Sequence, residues 1–405
     1  MSKKQVSKKK HIYFKNFNLV HDDFEGFQGG HAMLVDSDGV IAWVGKTQDR
    51  PKDLKIQHEI DLKKKNILPS FIECHTHTVF AGSRAAEFEE RLKGVSYLEI
   101  AQRGGGILST VRHTRQQTAA QLLKQSQKRV NEFLRQGVST LEIKSGYALD
   151  LKNEIKMLEV AKKIKGPQII TTFLGAHAKP TEFDSYSDYL NYLAKQVLPV
   201  VKKKKIANRV DIFIEKNFFE VADARSFLKT AQEMGFHLTI HANQLSDSGG
   251  AQLALELKAL SADHVIHLSA STIQNFSNSK TVAVLLPTAD LYMKCPYPPA
   301  RQLIDAGATV ALATDFNPGS CPSQDLMLVG LLARLEMKMT LPEVFKAYTV
   351  NAAKALGIDH EQGRLKVGQL ANFICTEADL TDFFYSTGFV PEHDLFIRGK
   401  RISRL

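Results

Sequence analysis

The strongest constraint in this sequence is an alternation between short, nearly continuous apolar runs and longer amphipathic stretches. Eight such runs follow one another: Leu68–Cys74, Val138–Lys144, Ile169–Ala176, Val210–Glu215, Leu238–His241, Ala262–Ile266, Val282–Leu286 and Val310–Thr314. A strand that is apolar on both faces must be covered on both faces, as in a parallel sheet flanked by helices. Eight of them in about 250 residues match the number and length of a (β/α)8 TIM-like barrel. Gly137, Gly235 and Gly307 stand before three of the runs, where a helix must end and turn into a strand. The expected fold class is therefore α/β.

The chain ends read differently. Residues 11–67 are short β-rich segments, with HAMLVDSDGVIAWVG placing two of them around the hairpin signal Asp38-Gly39 and another at 55–62. Residues 342–357, PEVFKAYTVNAAKALG, read as one helix ending at Gly357, after which GRLKVGQLANFIC and HDLFIRGKRI return to short strands. Residues 11–67 and 358–405 are thus expected to form a small β-sandwich domain from both chain ends, interrupted by a barrel at 68–357. The basic tail MSKKQVSKKK, residues 1–10, is expected to be disordered.

Composition bounds the function. With 43% hydrophobic and 24% charged residues, the chain is not wholly disordered, collagen-like or a membrane bundle. No apolar run approaches the ~18 residues a membrane span needs. No apolar segment follows the basic tail, so no secretory signal is read. The net charge of +10 comes largely from Lys3, Lys4, Lys8, Lys9 and Lys10 and from lysines 202–205. No aromatic interleaving accompanies them, so neither nucleic acid nor a membrane is expected as partner, and a basic balance favours a small anionic substrate. Cys74, Cys295, Cys321 and Cys375 form no CxxC pair, so a reducing cytoplasm is expected rather than a disulfide framework.

Active sites of such barrels sit at the C-terminal ends of the strands. His75 and His77 follow the first run, His177 the third, His241 ends the fifth, His264 lies in the sixth and Asp315 follows the eighth. Four of eight strands thus end in histidine, in a chain with 14. His75 and His77, two apart, project to the same side of an extended segment. Joined by His241 and Asp315, they offer three imidazoles and a carboxylate, a set suited to one divalent ion such as zinc or iron. His264 reads as a proton-transfer or orienting group, with a satisfied core histidine as the alternative. Lys144, Glu215 and Cys74 also stand at strand ends, the first two with structural roles as the alternative and Cys74 as a packed residue. Gly104-Gly105-Gly106 lacks the GKS/T of a phosphate loop. Asn317-Pro318-Gly319-Ser320 would bring backbone N–H groups to the barrel mouth, an arrangement suited to a carboxylate.

At this point a resemblance enters. PSFIECHTHTVFAGSRAAEFEERLKGVSYLEIAQRGGGILSTVRHTR, EIKSGY, TTFLGAHA, IFIEK, SDSGGA with SADH, and ATDFNPGS resemble the imidazolonepropionase family of the amidohydrolase superfamily, from about residue 68 to 357. The resemblance implies hydrolysis of 4-imidazolone-5-propanoate to N-formimidoyl-L-glutamate in histidine degradation. It implies one zinc or iron per subunit on His75, His77, His241 and Asp315, and a homodimer. Arg84 matches the position that binds the substrate carboxylate, and Tyr147, His177, Asn317, Gly319 and Ser320 match substrate-binding positions. His264 matches a residue that helps activate water, with Asp315 sharing the proton, and His177 is expected among the groups stabilising the oxyanion.

Two positions depart from the family pattern. His241-Ala242-Asn243-Gln244 stands where HADE is expected, so the carboxamide of Gln244, taken as both a catalytic and a substrate-binding candidate, replaces a carboxylate. A carboxamide can hydrogen-bond the imidazolone ring but cannot accept a proton as a carboxylate does. Asn372 stands where Asp is expected in the C-terminal GxLxVGxxADF pattern, a difference that bears on folding. The alternatives are another cyclic-amide hydrolase or deaminase of the superfamily, or a weakly active binding-only paralogue.

Overall fold

The computed structural model describes residues 10–95, 99–100 and 103–403. The tail expected to be disordered therefore lies, but for Lys10, outside the described residues. The N-terminal segment supplies β1 (His11–Val20), β2 (Phe27–Asp36), β3 (Ile41–Lys46), β4 (Ile56–Asp61) and β5 (Asn66–Pro69). The barrel follows as β6 (Phe71–Glu73), β7 (Val138–Lys144), β8 (Gln168–Ala176), β9 (Arg209–Ile214), β10 (His237–Ala242), β11 (Ser261–His264), β12 (Val282–Leu285) and β13 (Val310–Leu312). The chain ends with β14 (Phe373–Thr376), β15 (His393–Ile397) and β16 (Lys400–Arg401).

The eight barrel strands pair in sequence order, all parallel, each covered by helices. Gly137, Gly235 and Gly307 take φ of 86°, 78° and 93° at three of the turns into strands, where a Cβ would be strained. First and last strands meet just beyond their ends. Thr76 bridges Phe316, the His77 amide donates to the Phe316 carbonyl at 2.9 Å and the Asp315 amide to the His75 carbonyl at 3.2 Å. The seam that closes the barrel thus carries three of the four expected metal ligands.

Both chain ends build one mixed sheet in the order β16-β15-β14-β5-β1-β2-β3, with β4 also on β1. Its inner side chains, including Phe14, Phe17, Met33, Phe373 and Phe396, form their own apolar cluster. The Phe373 and Phe396 rings stack with centroids 4.5 Å apart.

Two readings of the sequence change. The run Leu68–Cys74 is not one strand. Leu68 pairs with Ile374 in the terminal sheet, whereas Phe71 pairs with Val138 in the barrel. Both halves are fully buried, so hydrophobicity could not separate them. Pro69 lacks the N–H to continue a ladder, and Ser70 switches partners by donating its amide to Asn372. The single helix expected at 342–357 is two, Leu341–Tyr348 and Val350–Leu356, broken at Thr349. The Thr349 hydroxyl donates to the Phe345 carbonyl at 2.7 Å, a local bond that competes with the helix ladder.

Asn372 has a structural explanation. Its Nδ2 donates to Gln362 Oε1 at 2.9 Å and its Oδ1 accepts from the Arg398 amide at 2.8 Å. Gln362 Oε1 also accepts from Thr140 of β7, so this buried chain of bonds ties the terminal sheet to the barrel. Aspartate could replace the acceptor but not the donor. Asn372→Asp is expected to lower stability by about 1–3 kcal/mol, read as an earlier urea midpoint, because a carboxylate would face the Gln362 oxygen.

Candidate metal centre and active site

The barrel interior holds a buried polar layer below the strand ends. Lys144 sits there fully enclosed, its Nζ 3.0 Å from Glu142 Oε1, 2.9 Å from Asp211 Oδ2 and 3.5 Å from Asp263 Oδ2. The two aspartates reach upward. Asp263 Oδ2 accepts from His75 Nδ1 at 2.7 Å, and Asp211 Oδ2 lies 3.0 Å from His241 Nδ1. A carboxylate is only an acceptor, so His75 donates from Nδ1 to Asp263 and turns Nε2 upward.

Above this layer the expected ligands converge. Donor atoms of His75, His77 and His241 lie within 4.8 Å of one another. Asp315 Oδ1 is 3.4 Å from His75 Nε2 and 3.4 Å from His77 Nε2, and His77 Nε2 is 3.4 Å from His241 Nε2. A tetrahedral ion with ligands at about 2.1 Å has donor–donor edges of about 3.4 Å. His75 Nε2 is buried with no hydrogen-bond partner among the described residues, its contact with Asp315 being off the bonding angle. Imidazole nitrogens and a carboxylate oxygen facing one another at this spacing need a cation among them, which is the His75 proton without metal or a metal ion in its place. The four residues therefore fit a single metal ion. Asp211, His241 and Asp263 make a second donor cluster, but there the Lys144 ammonium already supplies the cation.

Burial sets the protonation of this layer. It pushes His77 down to about 4 and His264 to about 3, and holds His177 well below its usual range. His75 is the exception. Against burial and the Lys144 charge, the hydrogen bond and charge of Asp263, with Asp315, push it up to about 9. Burial raises Glu73 to about 8, while Asp315 is held well below the carboxylate range, against burial, by His75 and His77.

One cavity brings most of the expected residues together. It is lined by His77, Arg84, Tyr147, His177, His241, Gln244, His264, Asp315, Asn317 and Ser320, with Ile107, Phe213, Phe218, Leu245 and Met293 as its apolar wall. His75 lies beneath it, fully buried. Gly319 lies against Arg84, where a Cβ would come within 2.0 Å of Nη1. His264 and Asp315 both take positive φ, 72° and 54°, a strain common where a functional side chain must be aimed.

Some expectations need correction. The Gly319 and Ser320 amides are not open to a substrate carboxylate. Both donate to Asn317 Oδ1 at 2.8 Å, so Asn317 organises its own loop. His177 Nδ1 lies 3.1 Å from the Gly146 carbonyl, which can only accept. The imidazole, neutral through burial, therefore presents Nε2 as an acceptor and cannot donate to an oxyanion. Glu215 stays outside the cavity and binds the Leu245 amide at 2.8 Å, fixing the loop that carries Gln244. Cys74 packs in the interior as expected. Sequence reasoning missed Asp211 and Asp263. Their signal was a carboxylate at an inward position of an otherwise apolar strand.

A barrel with a three-histidine, one-aspartate centre at its mouth defines the class. A profile described as the Amidohydrolase family matches residues 66–402, and the chain belongs to that family. Solved structures share the fold. An adenosine deaminase from Xanthomonas campestris with bound zinc superposes at a TM-score of 0.72 with 16% identity, over 98% of this chain and 93% of that one. A triazine hydrolase from Arthrobacter aurescens reaches 0.70 at 15%, over 96% and 94%. Within the class, curated relatives are more similar. The imidazolonepropionase of Bdellovibrio bacteriovorus is 54% identical over 92% of this chain and 88% of its own length. Those of Flavobacterium psychrophilum and Bacillus velezensis are 39% and 43% identical, over 92% and 86% of this chain and 92% and 83% of theirs. The chain is thus a member of the imidazolonepropionase branch of the amidohydrolases.

Two outcomes follow for the centre. Lys144→Met is expected to weaken zinc affinity about 10–100-fold in chelator competition, since the carboxylates that orient His75 and His241 lose their counter-charge. In the intact chain, zinc must displace the His75 proton, present below about pH 9 without metal. Affinity should therefore fall about tenfold for each pH unit below that value, with one proton released per ion bound.

Proposed function

We propose that the chain hydrolyses 4-imidazolone-5-propanoate to N-formimidoyl-L-glutamate, a step of histidine degradation. The observation that carries this reading is one cavity with the three-histidine, one-aspartate cluster at its floor and Arg84 in its wall. That pairing suits a cyclic amide bearing a carboxylate. His75, His77, His241 and Asp315 would hold zinc or iron, one per subunit, which when bound supplies Lewis acidity and an acidified water. Four thiols free of disulfides support a cytoplasmic setting, and family resemblance supports a homodimer.

The chain's own residues do the rest. Arg84 pairs with the propanoate, its guanidinium matching a carboxylate in geometry. The Tyr147 ring and the apolar wall hold the imidazolone out of bulk water, and Gln244 hydrogen-bonds the ring. His177 accepts a hydrogen bond at Nε2 from a ring N–H or a water. Water oxygen joins the ring carbonyl carbon, the carbon–nitrogen bond opens, and the freed nitrogen takes a proton. Asp315 and His264 take the water proton and return it. His264 is neutral without a bound ion, so its ring has a lone pair for that transfer.

The test is turnover of freshly prepared substrate by metal-loaded protein, followed by loss of the ring's ultraviolet absorbance. A kcat of about 1–10³ s⁻¹ is expected. Saturable binding without turnover would support the binding-only alternative that Gln244 motivates. Arg84→Ala is expected to raise KM roughly a hundredfold with little change in kcat, because it removes binding common to ground and transition states. An unchanged KM would remove Arg84 from the anchor role.

A further inference from the structure

Glu87 stands outside the roles assigned so far. It lies one turn after Arg84 on the helix Ala85–Leu92, and its Oε2 accepts from Arg84 Nε at 2.7 Å. Its other oxygen, Oε1, accepts from the Gly106 amide at 3.0 Å. Gly106 is the N-cap of the helix Ile107–Gln116, at a positive φ of 66° that suits glycine. A carboxylate at that helix end is favoured by the unsatisfied amides and the dipole.

The glycine run that looked like a weak phosphate loop gains a purpose here. A Cβ on Gly105 would lie 2.6 Å from Ile100 Cγ2 and 3.2 Å from Glu87 Oε1, so the run must be bare to close on this carboxylate. The anion in the cradle is the protein's own. On the far side the guanidinium packs against bare Gly319, whose Cβ it would exclude. Arg84 is thus held at Nε by Glu87 and confined beside Nη1 by Gly319.

We infer that Glu87 is the positioning residue for Arg84, clamping the guanidinium and the Gly104–Gly106 loop together so that the arginine meets the substrate carboxylate in one fixed orientation. The inference rests on the reading of Arg84 as the carboxylate anchor. Glu87 touches no reacting atom in this account. It acts on binding by reducing the arginine rotamers that must be frozen when substrate arrives.

The experiment is a double-mutant cycle on the metal-loaded enzyme, with imidazolone propanoate as substrate and thermal unfolding in parallel. Glu87→Ala is expected to raise KM roughly tenfold with kcat within about twofold, and Glu87→Gln to fall between it and the parent. In an Arg84→Ala background, Glu87→Ala should add little. A purely structural role for Glu87 would lower the melting temperature and act equally in both backgrounds. An unchanged KM in Glu87→Ala, or effects that multiply in the double variant, overturns the inference while leaving the anchor reading intact. If Glu87→Ala melts early, Glu87→Gln decides by the same two criteria. Silence of Arg84→Ala itself overturns the anchor reading and the inference together, a pattern distinct from silence at Glu87 alone.

Discussion

Everything at the barrel mouth depends on the ammonium of Lys144. Burying an ion costs several kcal/mol unless it is paired and hydrogen-bonded. Lys144 meets that demand with Glu142, Asp211 and Asp263, on its own strand and two others. The same carboxylates would repel one another without it. With it Asp211 and Asp263 stay charged, and these two approach the Nδ1 atoms of His241 and His75. The choice of histidine tautomer, and so the direction of the ligand lone pairs, follows from a charge one layer deeper.

A second constraint comes from closing the barrel. The last strand must meet the first, and the meeting point lies between 75–77 and 315–316. Backbone bonds there fix the spacing of His75, His77 and Asp315 before any ion arrives. The positive φ of Asp315 shows what this costs locally, about 1–3 kcal/mol for a residue with a Cβ. The seam and the ion stabilise each other. Ligands held by closed backbone need little reordering to bind, and a bound ion bridges the first and last strands.

Much of this was legible in sequence. Eight apolar runs and their spacing gave the barrel, and the residues at strand ends pointed to the cluster of His75, His77, His241 and Asp315, because both rest on local pattern. Strand-end chemistry is visible when residues that seldom end a buried strand do so repeatedly. What was not legible depends on partners distant in sequence. Leu68 and Phe71 are equally buried, and only β14 and β7 decide which sheet each joins. The His177 tautomer is set by the Gly146 carbonyl, and the Gly319 and Ser320 amides are taken by Asn317. Glu87 carried no signal because its two partners, Arg84 and Gly106, meet only when the loops pack.

The departure at Gln244 can now be weighed physically. Among the described residues that line the cavity, Asp315 is the only carboxylate. A glutamate at 244 would have added a second negative charge in a buried pocket, facing an anionic substrate. The carboxamide avoids that repulsion and offers both a donor and an acceptor to the imidazolone ring. It also concentrates proton traffic on Asp315 and His264. In the proposed mechanism Asp315 would both hold the ion and accept a proton, two demands that compete for the same lone pairs. In that mechanism His264 would share the proton: burial keeps its ring neutral, with a free lone pair, but also makes the protonated form costly. In the proposed mechanism, exchanging Glu for Gln at this position shifts proton transfer onto Asp315 and His264, and turnover measures what that shift costs.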